Sequence, residues 1–309
     1  MGFPSPLNPQ SPEALAVYHL FLFILGIALV IFLVVAFLVI FSMIRYHYRQ
    51  GDGEPPQRFG NTRIEIVWTV IPLAILVIIF IYMLSVMRVT QANATPEPDL
   101  IVIGHQWWWE VQYPKEGFVT ANEIHLLVGK KYTVELESAD VIHDLWIPQL
   151  GDKTDLVPGR SNWMYLQASQ PGTYLGTCAE FCGTDHALMH VRAIAQNEND
   201  YNAWLKSQEQ VPIIPTSGDA GKGAVLFFQL PCQSCHTIDG TQAKGDVGPN
   251  LSHVASRETL GAGSFDNSPG TLTAWLANPQ SLKPGNLMPN LQLTNQQISE
   301  LVAFLETLK

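Results

Sequence analysis

The chain has 309 residues, enough for two or three domains. Apolar side chains make up 47% and charged ones only 14%, a membrane-like balance. From residue 90 onward there are 12 basic and 23 acidic side chains, which argues against nucleic acid and suits a basic protein partner.

Two apolar runs come first. Leu20–Ile44 is almost purely apolar, and Val67–Met87 is a second run with Pro72 near its start. Each exceeds the roughly 20 residues that span a bilayer, so helices are expected at about 18–45 and 65–88, a transmembrane hairpin within residues 1–90. Residues 1–19 contain no Lys or Arg, whereas a secretory leader opens with positive charge. Arg45, Arg49, Arg58 and Arg63 lie between the runs and mark that connector as cytoplasmic. Both termini and everything beyond residue 90 are then outside a cell membrane. Glu65 sits at the inner mouth of the second helix; an ionisable group there is a proton-path candidate or a helix-start carboxylate favoured by the helix dipole.

After a Pro-containing linker the pattern changes. Leu100–Ile103, Tyr132–Leu136, Asn162–Leu166 and Val191–Ala195 are short β-branched and aromatic runs punctuated by Gly, Pro and Asp. They predict an all-β sandwich or barrel over residues 91–210, closed by a short helix at Glu198–Gln208. A second Pro-containing linker spans Val211–Gly218; its shortness predicts close packing of the domains on either side. Residues 216–309 read as an all-α domain. Thr294 with Gln297 makes a capping box, and Ile298, Leu301, Val302, Leu305 and Leu308 recur at helical spacing.

All four cysteines fall in two motifs. Cys232-Gln-Ser-Cys235-His236 is the attachment signal for c-type haem. Two thioethers anchor the porphyrin and His236 is placed to ligate iron. Met288 is the one methionine beyond residue 236 and the candidate sixth ligand, with His253 as a competitor. A redox disulfide is disfavoured because the flanks are not a βαβ unit. This part resembles a small class I cytochrome c.

The other motif places Cys178, Cys182, His186 and Met189 within twelve residues. Thiolate, imidazole and thioether donors select copper in a cupredoxin-like site. Two cysteines can bridge two copper ions, and His143, at a predicted strand end, supplies a second imidazole. Structural zinc would need only two Cys and two His; Met189 and the β context disfavour it. His190 follows Met189 and reads as a solvated surface residue.

On these residues, with Gln106-Trp107-Trp108-Trp109 and the hairpin, the first 210 residues resemble subunit II of haem–copper cytochrome c oxidase. With the cytochrome domain behind, the whole resembles the caa(3)-type fusion. The resemblance implies a dinuclear Cu(A) held by His143, Cys178, Cys182, His186, Met189 and the Glu180 backbone carbonyl. It implies Trp107 as the aromatic port for electrons, the Glu180 carboxylate as a Mg2+ ligand shared with subunit I, and Glu65 at the entrance of the K proton channel. The family's function is that of a terminal respiratory oxidase. Haem c accepts electrons from cytochrome c, another external donor or a neighbouring respiratory complex. Cu(A) passes them to haem a, and haem a(3)–Cu(B) in subunit I reduces O2 to water with proton pumping. Subunits I and III, the lipid bilayer and a bacterial inner membrane with periplasmic soluble domains complete the expectation. Pro is expected in this family where His190 stands. Quinol oxidase subunit II, which lacks the copper ligands, and a membrane-anchored copper carrier, which needs no haem, are the competing readings.

Overall fold

Apolar stretches without charge fold as helices when their backbone groups must be satisfied within one segment. The computed structural model describes residues 5–309 apart from 52, 55, 56 and 58; Arg58 of the connector therefore lies outside the described residues. Two units are present, residues 15–90 and, separately, the segment up to Ala14 together with residues 91–309. In the first unit α1 (Pro12–Arg45) and α2 (Thr62–Thr90) are 34 and 29 residues long. At 1.5 Å per residue both exceed the ~30 Å hydrocarbon layer. Their apolar side chains are exposed along almost the whole length, a surface that suits lipid and not water. Phe23 and Tyr82 meet edge to face at 5.4 Å.

The helices run further than the apolar runs alone because polar caps extend them. Ser11 Oγ accepts the Ala14 N–H at 2.9 Å, and Pro12 occupies the first helical position, where its missing N–H costs nothing. Asn61 Oδ1 accepts the Arg63 N–H at 3.1 Å at the start of α2. The start of α1 packs within the second unit. Ser11 donates to Leu150 O, the Gln10 N–H donates to Gln149 O, and buried Glu13 pairs with Lys131 at 2.8 Å.

The β region is a two-layer sandwich. One sheet contains β1 (Leu100–His105), β2 (Trp108–Tyr113), β3 (Phe118–Ala121), β5 (Tyr132–Ser138) and β8 (Asn162–Leu166), in the order β3-β2-β1-β5-β8. The other contains β4 (Glu123–Leu127), β6 (His143–Trp146), β7 (Thr154–Leu156), β9 (Gly172–Cys178) and β10 (His190–Gln196), in the order β4-β10-β9-β6-β7. The alternating burial of β1 and β5 is the period of a half-buried strand. Leu100, Val102, Val134, Leu136, Trp109 and Ile124 meet in the core between the layers. Asn122, with φ 66°, turns the chain from one sheet into the other. Its Oδ1 accepts the Trp109 N–H at 2.9 Å, which holds that corner. Helix α3 (Glu198–Gln208) closes the sandwich at the residues expected, with Trp204 stacked on His125 at 3.9 Å.

The last third is mostly helical: α4 (Gly218–Gln229), α5 (Cys232–Cys235), α6 (Pro269–Ala277), α7 (Pro279–Leu282) and α8 (Asn295–Leu305). A hairpin of β11 (Thr259–Leu260) and β12 (Phe265–Asp266) interrupts it, a departure from the purely helical expectation. The capping box of Thr294 and Gln297 is formed. Ile298, Leu301, Val302, Leu305 and Leu308 all face the core with Phe227. α4 and α8 cross closely at Gly223, where an added Cβ would lie 1.9 Å from the Glu300 carbonyl oxygen.

Gly223→Ala must therefore push the two helices apart. It is expected to destabilise this domain by about 1–3 kcal/mol, the usual cost of overpacking, read as a lowered midpoint in denaturant. An unchanged midpoint would contradict the close crossing.

Candidate metal centres

β6 and β9 are adjacent strands of one sheet, and the loop after β9 folds back over their ends. This brings distant residues to one buried point. Cys178 and Cys182 Sγ atoms are 3.8 Å apart. His143 Nδ1 lies 3.8 Å from Cys178 Sγ, His186 Nδ1 3.6 Å and Met189 Sδ 3.8 Å from Cys182 Sγ. The Glu180 carbonyl oxygen is 3.2 Å from Cys178 Sγ. All six expected donors thus converge. His143, Cys178, Cys182 and Met189 are buried, and His143 with both thiols forms a group able to hold a metal.

The electrostatics suit cations. The Cys178 thiol is pushed well down, first by its hydrogen bond with Cys182 and then, against burial, by His143; Cys182 is pushed up by that same bond and by burial. A cation bound there would displace the remaining thiol proton and would be held by both sulfurs. His143 is oriented from behind. Burial opposes its charged form, but Asp140 and Cys178 raise its pKa overall. Asp140 Oδ1 meets His143 Nε2 at 2.8 Å, leaving Nδ1 toward sulfur. The other Asp140 oxygen accepts the Gln106 N–H at 2.7 Å.

Trp107 touches the same site. Its indole N–H donates to Cys182 O at 3.1 Å and the Gln106 amide donates to that oxygen at 2.7 Å. Trp109 is edge-on to His143 at 6.0 Å. The exposed Glu180 side chain borders a depression with Asp144 and Asp155. Burial and the neighbouring Asp155 push the Asp144 carboxyl up to about 7, against the pull of Lys153, as happens where acidic groups gather out of water. Glu65 is elsewhere, in α2, where its carboxylate accepts the Asn61 N–H at 3.2 Å, the geometry of a helix-start residue.

Cys232, Cys235, His236 and Met288 line one cavity of about 220 Å³. His236 Nδ1 meets the Pro249 carbonyl at 2.8 Å, which fixes Nε2 as the free ligand atom. Burial lowers the His236 pKa and favours the neutral imidazole that iron requires. Gly248 passes directly behind this ring: an added Cβ would be 2.5 Å from Cε1. Trp275 donates to Met288 Sδ at 3.1 Å, orienting the thioether. Arg257, also on the wall, is half-buried, with its Nε withdrawn from water and unpartnered. An apolar cavity with an unpaired guanidinium N–H suits a macrocycle that carries carboxylates. His253 is buried but is not among the cavity-lining residues.

Three residues of these sites carried no local signal in the sequence: Asp140, Arg257 and Lys283. Lys283 is 3% exposed and its ammonium is pushed down to about 8 by burial, against the pull of Asp185 and Cys182. His190 is a correction. It is half-buried, its N–H donates to Ala262 O at 2.9 Å, and burial, Lys283 and Arg192 lower its pKa. The solvated surface position expected for it is taken by the hairpin of the last domain.

Three family models match the chain. They are the transmembrane domain of cytochrome c oxidase subunit II over residues 7–86, its periplasmic domain over residues 117–195, and cytochrome c over residues 220–309. Cytochrome c oxidase subunit 2 of Alkalihalophilus pseudofirmus is 38% identical over 98% of this chain and 90% of its own length. The Bacillus subtilis protein of the same name is 30% identical over 88% of this chain and 83% of its own. Quinol oxidase subunit 2 of Bacillus cereus is 30% identical over 66% of this chain and 72% of its own. The solved periplasmic domain of cytochrome oxidase subunit II of Bradyrhizobium japonicum is 29% identical, covering 38% of this chain and 97% of that domain, with a TM-score of 0.36.

Asp140→Ala removes the carboxylate that aims His143. Copper affinity is expected to fall by about 10–100-fold, the usual consequence of losing such a partner, in a competition titration with a copper chelator. Unchanged affinity would show that the imidazole is held by other contacts.

Proposed function

The chain belongs to the cytochrome c oxidase subunit II family and carries a cytochrome c domain behind the subunit II fold, and from that premise we propose a two-station electron relay within one polypeptide. As a membrane-anchored component of a haem–copper oxidase, it works with partner subunits. In this reading Cys232 and Cys235 anchor haem c, and His236 and Met288 ligate its iron. His143, Cys178, Cys182, His186, Met189 and the Glu180 carbonyl hold dinuclear Cu(A). Bound there, the iron and the copper pair supply one-electron acceptors. No residue of this chain takes part in the reduction of O2.

One observation carries the relay. Trp107 belongs to both sites: its indole N–H donates to Cys182 O, and the residue lines the cavity that holds His236 and Met288. This supports a conjugated side chain as the bridge between the two donor sets. The exit is assigned to the other end of the copper loop. Phe181 is 77% exposed and stands edge-on to His186 at 5.7 Å, so the imidazole borders a surface fit for a partner subunit. Electrons then leave by His186 toward haem a of subunit I, where O2 reduction is coupled to proton pumping. The Glu180 carboxylate, beside Asp144 and Asp155, is assigned a Mg2+ shared with subunit I. Glu65 is assigned the mouth of the K channel. The soluble domains are placed on the periplasmic side, where haem is attached to thiols and an external donor is met. A quinol oxidase role is disfavoured by the complete set of soft donors.

Metal analysis and EPR of the full chain, matured with haem and loaded with copper in detergent, test the assignment. Two coppers and one haem per chain, with a seven-line mixed-valence copper signal lost in Cys178→Ser, are expected. Zinc in place of copper, or a copper signal confined to a single ion, would overturn the Cu(A) assignment.

A further inference from the structure

The haem-bearing domain does not merely follow the copper domain; a buried cation ties the two together. Lys283 closes the C-terminal end of α7, five positions before Met288. Its ammonium donates to the Trp107 carbonyl at 2.8 Å, to the Leu188 carbonyl at 3.0 Å and to Gly261 O at 3.4 Å. Leu188 lies between the copper donors His186 and Met189, and Trp107 is the aromatic bridge. Lysine is rarely buried without partners, and withdrawing an ammonium from water costs several kcal/mol unless its protons are used. Here they are used on the copper loop, the bridge and the hairpin together. Asp185, also buried, adds an opposite charge within electrostatic reach.

The surroundings complete a cover. Trp107 and Trp108 are each only 9% exposed, and Trp108 packs with Ala121 against Ala262 of the hairpin. The His190 N–H donates to Ala262 O and Ser264 Oγ donates to Leu188 O. Glu123 Oε1 accepts both the Thr259 N–H and its hydroxyl. The rim pair, Arg192 with Glu258 at 3.0 Å, has a substantially exposed member. The face of the copper domain around Trp107 is thus occupied by the chain's own last domain.

We propose that Lys283 is the positioning residue that seals Trp107 and the copper-ligand loop beneath the haem domain, so that a diffusible donor delivers its electron to haem c and has no direct access to Trp107. This rests on the assignment of Trp107 as the electron bridge. It also assigns the loop carrying Met288 a second task. Gln280 donates to the carbonyls of Asn286 and Met288, so the latch and the iron-ligand loop move as one piece.

Hydroxyl-radical footprinting with mass spectrometry on the full-length holo chain tests this without using oxidase turnover. In the wild type, Trp107 and Trp108 are expected to be labelled far more slowly than the partly exposed Trp163. Lys283→Met, with covalent haem and far-UV spectrum retained, is expected to raise labelling of both and the hydrogen exchange of the His190 amide on the order of tenfold, as expected when hydrogen bonds from a charged group are lost. Glu258→Gln, at the rim, should change them less than about twofold, the size expected of a half-exposed pair. Rapid labelling of Trp107 in the wild type would overturn the seal whatever the variants do. Unchanged labelling in Lys283→Met, or an equal rise in Glu258→Gln, would overturn the role of Lys283. Metal content is measured on the same samples, so a failed Cu(A) assignment is seen separately from a failed seal.

Discussion

Two thiols held 3.8 Å apart in a buried pocket are the constraint around which the copper domain is arranged. Without a cation such a pair cannot lose both protons cheaply, because the second thiolate would form beside the first in a medium of low dielectric. The donors that meet them suit a positive guest. His143 and His186 offer nitrogen lone pairs from opposite ends of the pair, and Met189 offers a sulfur. The strand pairing of β6 with β9 and the return of the loop into β10 exist at the right register to supply this convergence. The site is therefore a property of the sandwich, and the loop alone could not hold it.

The contact between the copper and cytochrome domains follows a different logic. It contains buried charges, Glu123 and Lys283, with Arg257 half-buried near Glu123. Burial raises the Glu123 carboxyl against the pull of Arg257 and lowers Arg257 against the pull of Glu123. Such groups add little net stability compared with well-packed apolar side chains. Their value lies in geometry, since carbonyl and N–H partners at fixed positions reject a slipped arrangement. A greasy patch would tolerate many orientations of one domain on the other.

Much of this was readable from the chain itself. The two spanning helices, the alternating strands, α3 and the capping box of α8 all rest on local periodicity and local side-chain chemistry, and each appears where that chemistry places it. The converging Cys, His and Met side chains were legible because cysteine is scarce and its spacing specific. What escaped were residues whose meaning is set by distant neighbours. Lys283 in a Pro-Gly loop has the look of a surface lysine, and only the carbonyls of Trp107 and Leu188 reveal otherwise. Arg257 and Asp140 are ordinary loop charges until the cavity wall and the His143 ring are in place. His190 departs from its expected surface position for the same reason: its neighbour Ala262 is 72 positions away in the sequence. The start of α1 lay beyond its apolar run, because its cap is completed by Leu150 and Lys131.

The burial of the Lys283 and Glu123 contacts has a bearing on ionic strength. Mobile ions screen charges they can surround, with a reach of about 8–10 Å at physiological salt, and they cannot surround groups sealed inside a protein. The acidic exterior of the outer domains is open to such screening, so in the proposed relay capture of a positively charged reductant would weaken as salt rises. The internal handoff of that relay would be first order and sheltered. A single chain would then divide one pathway into an outer leg tuned by the medium and an inner leg indifferent to it.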